Sequence, residues 1–311
     1  MNIVVAAQES AGVQTLRLVD KARHHLALVL TGTERGEGVE RGVTVAAVAR
    51  ELGVPILPAV VVKDAVFASE LRRLQVDVLL NVHSLYLVNP AVLAAPRIGS
   101  FNLHPGPLPD YAGLNVPSWA IYNGETSHGA TLHWMAPEVD AGPVAFSASF
   151  PLTPTDTGLS TSAKCVQHGM FLISELLNRL ARKDSEVPRL EQDTRRRRYF
   201  GKLTPHAGWV PWWLPARQVV NFVRACDYGP WPSPWGQPRT VASRTEIAIL
   251  RASNTGEYAG APPGTVGAPD GDGMRVAAAD EWVVVRRLRI DGKGVPPRAA
   301  LNPGDVLVAG A

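Results

Sequence analysis

Across the first 180 residues, short apolar runs alternate with stretches whose apolar positions recur at helical spacing. Ile3-Val-Val-Ala6, Leu26-Ala-Leu-Val-Leu30, Pro55-Ile-Leu57 and Val76-Asp-Val-Leu-Leu80 read as strands, and residues 13–22, 43–52 and 65–74 as the helices between them. Nearly all-apolar strands separated by amphipathic helices predict an α/β fold with a parallel sheet covered on both faces. The pattern continues with a strand over 98–104, a short helix over 117–122, strands over 130–135 and 144–150, and a long helix over 157–180. Leu159, Ala163, Val166, Ile173 and Leu177 carry the apolar face of that last helix.

The texture changes at residues 183–208, which are polar, interrupted by proline and include Arg195-Arg-Arg-Arg198. This segment reads as a linker between a domain over 1–182 and another over 209–311. In the second domain, strand-like runs at 246–250, 274–278 and 282–290 are separated by turns at Pro262-Pro-Gly264, Gly271-Asp-Gly273 and Asp291-Gly292. Short strands with frequent turns predict a small β-barrel or sandwich.

Chemistry concentrates in Ser100-Phe-Asn-Leu-His-Pro-Gly-Pro-Leu-Pro109 and in Ala136-Pro-Glu-Val-Asp-Ala-Gly142. Period-two alternation puts Asn102 and His104 on one face of a strand, with Phe101 and Leu103 on the other. The Pro/Gly-rich run that follows ends the strand, and strand ends of α/β sheets are where such folds hold their ligands. An amide beside an imidazole suits acyl transfer. The Asn102 amide can donate to a carbonyl oxygen that gains charge, a contribution of about 2.7–4 kcal/mol where such donors have been removed. His104 can take a proton from an attacking amine or, as imidazolium, share the oxyanion, and Asp140 can orient His104, raise its basicity and hold a water for proton relay. No Gly-x-Ser-x-Gly elbow is present and neither Cys165 nor Cys226 is near the motif in sequence, so direct transfer is expected without a covalent enzyme intermediate. Ala6-Ala-Gln-Glu-Ser-Ala-Gly12 lacks the Gly-x-Gly-x-x-Gly of dinucleotide-binding sites.

Composition narrows the picture a little. Hydrophobic residues make up 46% and charged residues 19% of the 311, enough for a sizeable core. No apolar run approaches the roughly 18–20 residues of a membrane helix, and the chain reads as soluble, untargeted and cytoplasmic. Two cysteines are expected to be reduced core thiols, and no Cys/His grouping has metal-ligand spacing, so no metal is expected. A net charge of +3 does not by itself point to nucleic acid. Arg275, Arg286, Arg287 and Arg289 make the second domain basic without interleaved stacking aromatics apart from Trp282. His83 and His133 read as structural histidines, and Gly12 as a helix-start glycine or a point of close approach to an acceptor. Arg195 to Arg198 form a solvated basic run that could also meet an acceptor phosphate.

Phe101-Asn-Leu-His-Pro105, Leu108-Pro109, Gly113, Ala120-Ile-Tyr-Asn-Gly-Glu125, Gly129-Ala-Thr-Leu-His-Trp-Met135 and Val139-Asp-Ala-Gly142 together resemble the 10-formyltetrahydrofolate-dependent formyltransferases. Tyr199-Phe-Gly-Lys202, Gly229-Pro-Trp-Pro232 and Pro263-Gly-Thr-Val266 are similar to the members with a C-terminal barrel. The resemblance implies a Rossmann-like formyl-transfer domain followed by a small OB-like barrel, with Asn102, His104 and Asp140 catalytic. It implies 10-formyltetrahydrofolate as cofactor, with tetrahydrofolate as product. The pterin would be held by the loop Ser84, Leu85, Tyr86 and Leu87 and by Ala136, Val139 and Asp140, with Leu108 packed on the cofactor. It implies a small-molecule amine as acceptor, most nearly a nucleotide-linked amino sugar, with Arg198, Tyr199 and Lys202 as candidate acceptor contacts. Methionyl-tRNA formylation, formyltetrahydrofolate hydrolysis and folate binding without catalysis are the alternatives. The Gly106-Pro-Leu-Pro109 and Ala112-Gly113 pieces depart from the family pattern, Ser-Leu-Leu-Pro and Arg-Gly, at the mouth of the expected site.

Overall fold

The computed structural model describes residues 1–32, 42–182 and 186–310. Three residues of the expected linker, 183–185, lie outside this set. The strands and helices of the first half follow the hydrophobic pattern closely. Strands β1 (Asn2–Ala7), β2 (His25–Thr31), β3 (Ile56–Pro58), β4 (Val78–Val82) and β5 (Gly99–His104) alternate with helices α1 (Glu9–Lys21), α2 (Val45–Glu51), α3 (Phe67–Arg73) and α4 (Pro90–Leu93). They pair in parallel in the order β3-β2-β1-β4-β5. After the two-residue strand β6 (Ala112–Gly113) and helix α5 (Val116–Tyr122), β7 (Ser127–Trp134) joins β5 antiparallel and β8 (Val144–Pro151) completes a seven-stranded sheet. The long helix α6 spans Gly158–Ala181.

Alternation along β1 shows how the sheet is covered. Ile3, Val5 and Ala7 enter one buried cluster with Phe101, Leu103, Leu132 and the α6 residues Ile173 and Leu176. Val4 and Ala6 enter another with Phe67, Leu71 and Val92. Each fully buried Leu, Ile or Phe contributes about 1.5–3 kcal/mol to holding the layers together. Gly12 sits where α1 leaves the sheet, and a Cβ there would lie 2.7 Å from Val45 Cγ2 and 2.8 Å from Ala7 Cβ. Close packing therefore explains this glycine.

The polar segment after α6 carries a 3-10 turn over Thr194–Arg196 and the two-residue strand β9 (Tyr199–Phe200). Helix α7 (Ala216–Ala225) precedes the antiparallel sheet of β10 (Arg239–Ala242), β11 (Thr245–Tyr258), β12 (Val266–Asp270), β13 (Gly273–Ala277), β14 (Glu281–Ile290) and β15 (Lys293–Val295). The order is β10-β11-β14-β13-β12, with β15 on β14. Val308 bridges Val241 beside one edge of this sheet while Val306 bridges Thr265 beside the other. The chain end thus joins the two edges and closes the sheet into a barrel, removing edges that would otherwise invite further pairing.

The chain divides into two compact units, Met1–Gly113 with Gly129–Phe150 and Lys164–Tyr199, and Leu114–His128 with Pro151–Ala163 and Phe200–Ala311. In the second, Ser118 of α5 donates to the Ala225 carbonyl at the end of α7, and Trp119 packs edge-on against Trp235 at 4.8 Å. Trp212 is buried in the barrel core, whereas Trp213 and Trp231 are exposed. No helix among the described residues is long and apolar enough to cross a membrane.

Candidate active site

Strand β5 delivers Asn102 and His104 to the face of the sheet opposite Phe101 and Leu103, as the alternation requires. Asp140 reaches them from the turn after β7. Its Oδ2 lies 3.5 Å from His104 Nδ1 and accepts a 2.9 Å hydrogen bond from the Gly113 backbone N–H. Its Oδ1 is 3.4 Å from Asn102 Nδ2 and 3.5 Å from His133 Nε2. The three residues read from sequence do converge.

The short hydrogen bond of the imidazole goes to another group. His104 Nε2 is 2.6 Å from the Tyr111 carbonyl, so this nitrogen carries the proton and donates it. In the neutral ring Nδ1 is then a free lone pair beside the Asp140 carboxylate. Burial pushes the His104 pKa below the ordinary imidazole value, against the opposing pull of Asp140 and of the Tyr111 carbonyl. For Asp140, burial works against ionisation. The positive charge of His104 or His133 whenever either imidazole is protonated, and the Gly113 N–H, outweigh it and hold the carboxyl well below the usual carboxylate range. The site therefore rests as a neutral base beside an ionised acid.

Asp140 adopts a left-handed backbone conformation, φ 53°. Such a residue persists where its surroundings over-determine it. Gln192 Nε2 donates to the carbonyls of Asp140 (2.9 Å) and Gly142 (2.6 Å), and Arg197 donates to the carbonyl of Val139 (2.7 Å). A Cβ on Gly142 would strike the Trp134 carbonyl. The arginine run is thus largely committed to the protein itself. Arg195 pairs with Asp193, Arg196 with Asp110, and Arg198 donates to the Asp110 carbonyl and lies over the Tyr111 ring. We predict that Gln192→Ala loosens the turn, costing about 1–2 kcal/mol and roughly 2–6 °C in Tm. Turnover should fall about tenfold because Asp140 is less well held, a pair of effects that scanning calorimetry and steady-state rates would measure together.

Two neighbours of Asn102 were not apparent from the sequence pattern. Its Oδ1 accepts from Asn81 Nδ2 at 2.8 Å and its Nδ2 is 3.0 Å from His133 Nε2. Both partners stand opposite Asn102 in the strand register, Asn81 on β4 and His133 on β7. His133 Nδ1 donates to the Trp134 carbonyl at 2.8 Å, leaving Nε2 as the acceptor. A histidine that reads as structural is therefore in direct contact with the candidate catalytic amide. His83 instead pairs with Glu9 at 3.2 Å. Cys165, distant in sequence, has its Sγ 3.3 Å from the Pro105 carbonyl, but burial raises its pKa and keeps the thiol protonated.

The loop after β4 places Ser84 inside, Tyr86 half-buried beneath Lys63, and the apolar side chains of Leu85 and Leu87 in solvent. Asn81 Oδ1 and Ser84 Oγ are buried without a hydrogen-bond partner among the described residues. Orphaned polar atoms beside exposed leucines fit a flat heterocycle with polar edges, which is the character of a pterin. Ala136 and Val139 are half-buried on the second loop, as is Leu108, whose N–H donates to Thr131. Tyr199 is exposed with the Arg197 guanidinium over its ring, and Lys202 is exposed. In the barrel, Arg275 pairs with Glu257 and Asp270, and Arg286 with Asp270 and Asp272, so part of its positive charge is neutralised locally.

An α/β sheet with an amide donor, a neutral imidazole and an ionised carboxylate clustered at a strand end has the chemistry that group transfer needs. The comparisons make this specific. The Formyl transferase family model matches residues 1–176 and the Formyl transferase C-terminal domain model matches residues 202–302, so the chain belongs to the formyl transferase family of enzymes. A methionyl-tRNA formyltransferase of Moorella thermoacetica is 28% identical, the match spanning 100% of this chain and 98% of that protein. An N-formyltransferase from Helicobacter canadensis, solved with folinic acid and dTDP-3-aminofucose, has a similar fold at 16% identity. Its TM-score is 0.71 over 91% of this chain and 98% of that one. WlaRD, a sugar 3N-formyl transferase solved with dTDP and 5-N-formyl-THF, is similar at 15% identity. Its TM-score is 0.69, over 94% of this chain and 98% of its own.

Proposed function

We propose that this formyl transferase moves a formyl group from 10-formyltetrahydrofolate to the primary amine of a nucleotide-linked amino sugar, with Asn102, His104 and Asp140 as its catalytic residues. The observation that carries the reading is the meeting of Asn102 Nδ2, His104 Nδ1 and both Asp140 oxygens within 3.5 Å. The folate would supply an activated formyl group on an aniline-type nitrogen, held by residues 84–87, Leu108, Ala136, Val139 and Asp140. Asn102 Nδ2 gives one hydrogen to His133 at 3.0 Å, while its contact with Asp140, at 3.4 Å, is long. The second hydrogen is thus available to a carbonyl oxygen that gains negative charge. His104 Nδ1 takes the proton of the attacking amine. The imidazolium then has a full set of partners, Tyr111 carbonyl at one nitrogen and Asp140 at the other, and its proton would pass to N10 as the formyl C–N10 bond breaks and tetrahydrofolate leaves. In this reading residues 1–182 carry the transfer site, 183–208 connect it, and 209–311 form the OB-like barrel.

Support for a sugar acceptor comes from the two structural neighbours solved with dTDP-3-aminofucose or dTDP, and from Arg198-Tyr-Phe-Gly-Lys202, which resembles the amino-sugar members of the family more than the tRNA enzyme. The test is tetrahydrofolate release, followed spectrophotometrically, from 10-formyltetrahydrofolate with a panel of dTDP- and UDP-linked amino sugars. Amine-dependent release with a member of the panel is the expected result, and its failure across the panel overturns the sugar reading. A second reading, formylation of methionyl-tRNA, is favoured by the full-length match to the Moorella thermoacetica enzyme. It predicts filter-retained tRNA whose affinity falls steeply with salt as phosphate contacts are lost.

A further inference from the structure

Asn102 can act as a donor only if its nitrogen, and not its oxygen, faces Asp140 and the reacting group. The choice between these two orientations is made by neighbours, because the two ends of a carboxamide have nearly the same shape. Asn81, Asn102 and His133 stand in register on three adjacent strands and form a row across one face of the sheet. At one end, Asn81 Nδ2 is 3.1 Å from the Ser84 carbonyl. A carbonyl only accepts, so this atom must be the NH2, and its other hydrogen must go to Asn102, 2.8 Å away. Asn102 therefore turns its oxygen toward Asn81. At the far end the Trp134 carbonyl fixes the proton on His133 Nδ1, so Nε2 must accept and Asn102 must turn its nitrogen that way. Two backbone carbonyls, Ser84 and Trp134, thus polarise the whole row in one direction.

We propose that Asn81 is a positioning residue whose amide donor pins the carboxamide of Asn102 with its NH2 toward the site, and that it ties this orientation to the backbone of the 84–87 loop. The inference deepens the proposed formyl-transfer reading and rests on it for the role of Asn102. The row also explains an otherwise costly feature, a buried asparagine near the end of β4 between Leu80 and Val82, both fully buried apolar residues. In a strand buried on both faces an apolar side chain would be cheaper there, so its amide needs a reason.

Two variants separate this role from packing. Asn81→Leu keeps the volume and removes the donor. Asn81→Asp keeps the shape but offers an acceptor to an oxygen, which favours a turned Asn102 whose oxygen then meets the His133 lone pair and the Asp140 carboxylate. Both variants lose the bond to Ser84, so any effect on the loop is common to the two. If Asn81 only fills space, the isosteric Asn81→Asp retains more activity. If it positions Asn102, the order reverses, with kcat down about tenfold in Asn81→Leu and about a hundredfold in Asn81→Asp, and with similar KM values for 10-formyltetrahydrofolate in both. An activity-independent readout is the Asn102 side-chain NH2 pair in ¹⁵N spectra. Slow solvent exchange is expected in the wild type and fast exchange with shifted resonances in Asn81→Asp. Unchanged Asn102 signals in Asn81→Asp, or kcat in that variant equal to or above Asn81→Leu, would overturn the proposal. Absence of wild-type turnover with every acceptor would instead count against the formyl-transfer reading, while the spectra still decide the orientation of Asn102.

Discussion

Asn102→Ala is expected to lower kcat about 10²–10³-fold, the usual effect of removing one donor aimed at developing charge. The alanine variant also leaves Asn81 Nδ2 and His133 Nε2 short of a partner, which costs about 1–3 kcal/mol of stability. Its loss of rate must therefore be read beside Asn102→Asp. That variant preserves the shape and the acceptor facing Asn81, but it has no hydrogen to give and sets a second carboxylate near Asp140. Both should lose transfer to a similar extent while circular dichroism shows Asn102→Asp folded. A folded Asn102→Asp with wild-type kcat would remove the amide from the chemistry.

Asp140→Asn should cost about 10²–10³-fold in kcat and carry a distinctive pH signature. In the wild type the active form has His104 neutral. Burial places its pKa below the ordinary imidazole value of 6.5, so the acid limb of kcat/KM falls below that pH. Asp140 acts on His104 in the opposite direction, favouring the imidazolium. Without that charge the His104 pKa drops further, and the acid limb of Asp140→Asn moves to lower pH even as the maximum rate falls. The variant asparagine can still accept from the Gly113 N–H, so the turn need not collapse. A limb that stays put, or moves toward neutral pH, would mean that the group titrating in the profile is not His104.

The extent to which the site was legible follows from the range of each interaction. Asn102 and His104 were legible because strand periodicity acts over two residues, and a polar pair on an apolar strand stands out. Asp140 by itself was a weak signal, because Asp-Ala-Gly is a common turn; it stood out only in combination with Asn102 and His104, and the family resemblance named the same residue. Asn81 and His133 were missed as functional groups. Each looks like one polar residue in a strand, and its meaning comes from the register that sets it opposite Asn102. Gln192 and Arg197 were hidden for a similar reason. They lie about 50 residues from the turn they hold, and a run of arginines in a polar segment is usually solvated. Closure of the barrel by residues 306–308 was equally silent, since short pairings at a chain end leave little periodic signal.

By itself the sequence determined the alternation of strands and helices, the two families of apolar faces that cover the sheet, and the identity of the three groups suited to acyl transfer. These depend on local periodicity and side-chain chemistry, which the order of residues carries directly. Tertiary structure alone decided which nitrogen of His104 holds its proton, which end of Asn102 faces the site, and how Asp140 is kept ionised. Those are properties of hydrogen bonds across strands and to distant carbonyls, and only the folded register brings their partners within reach.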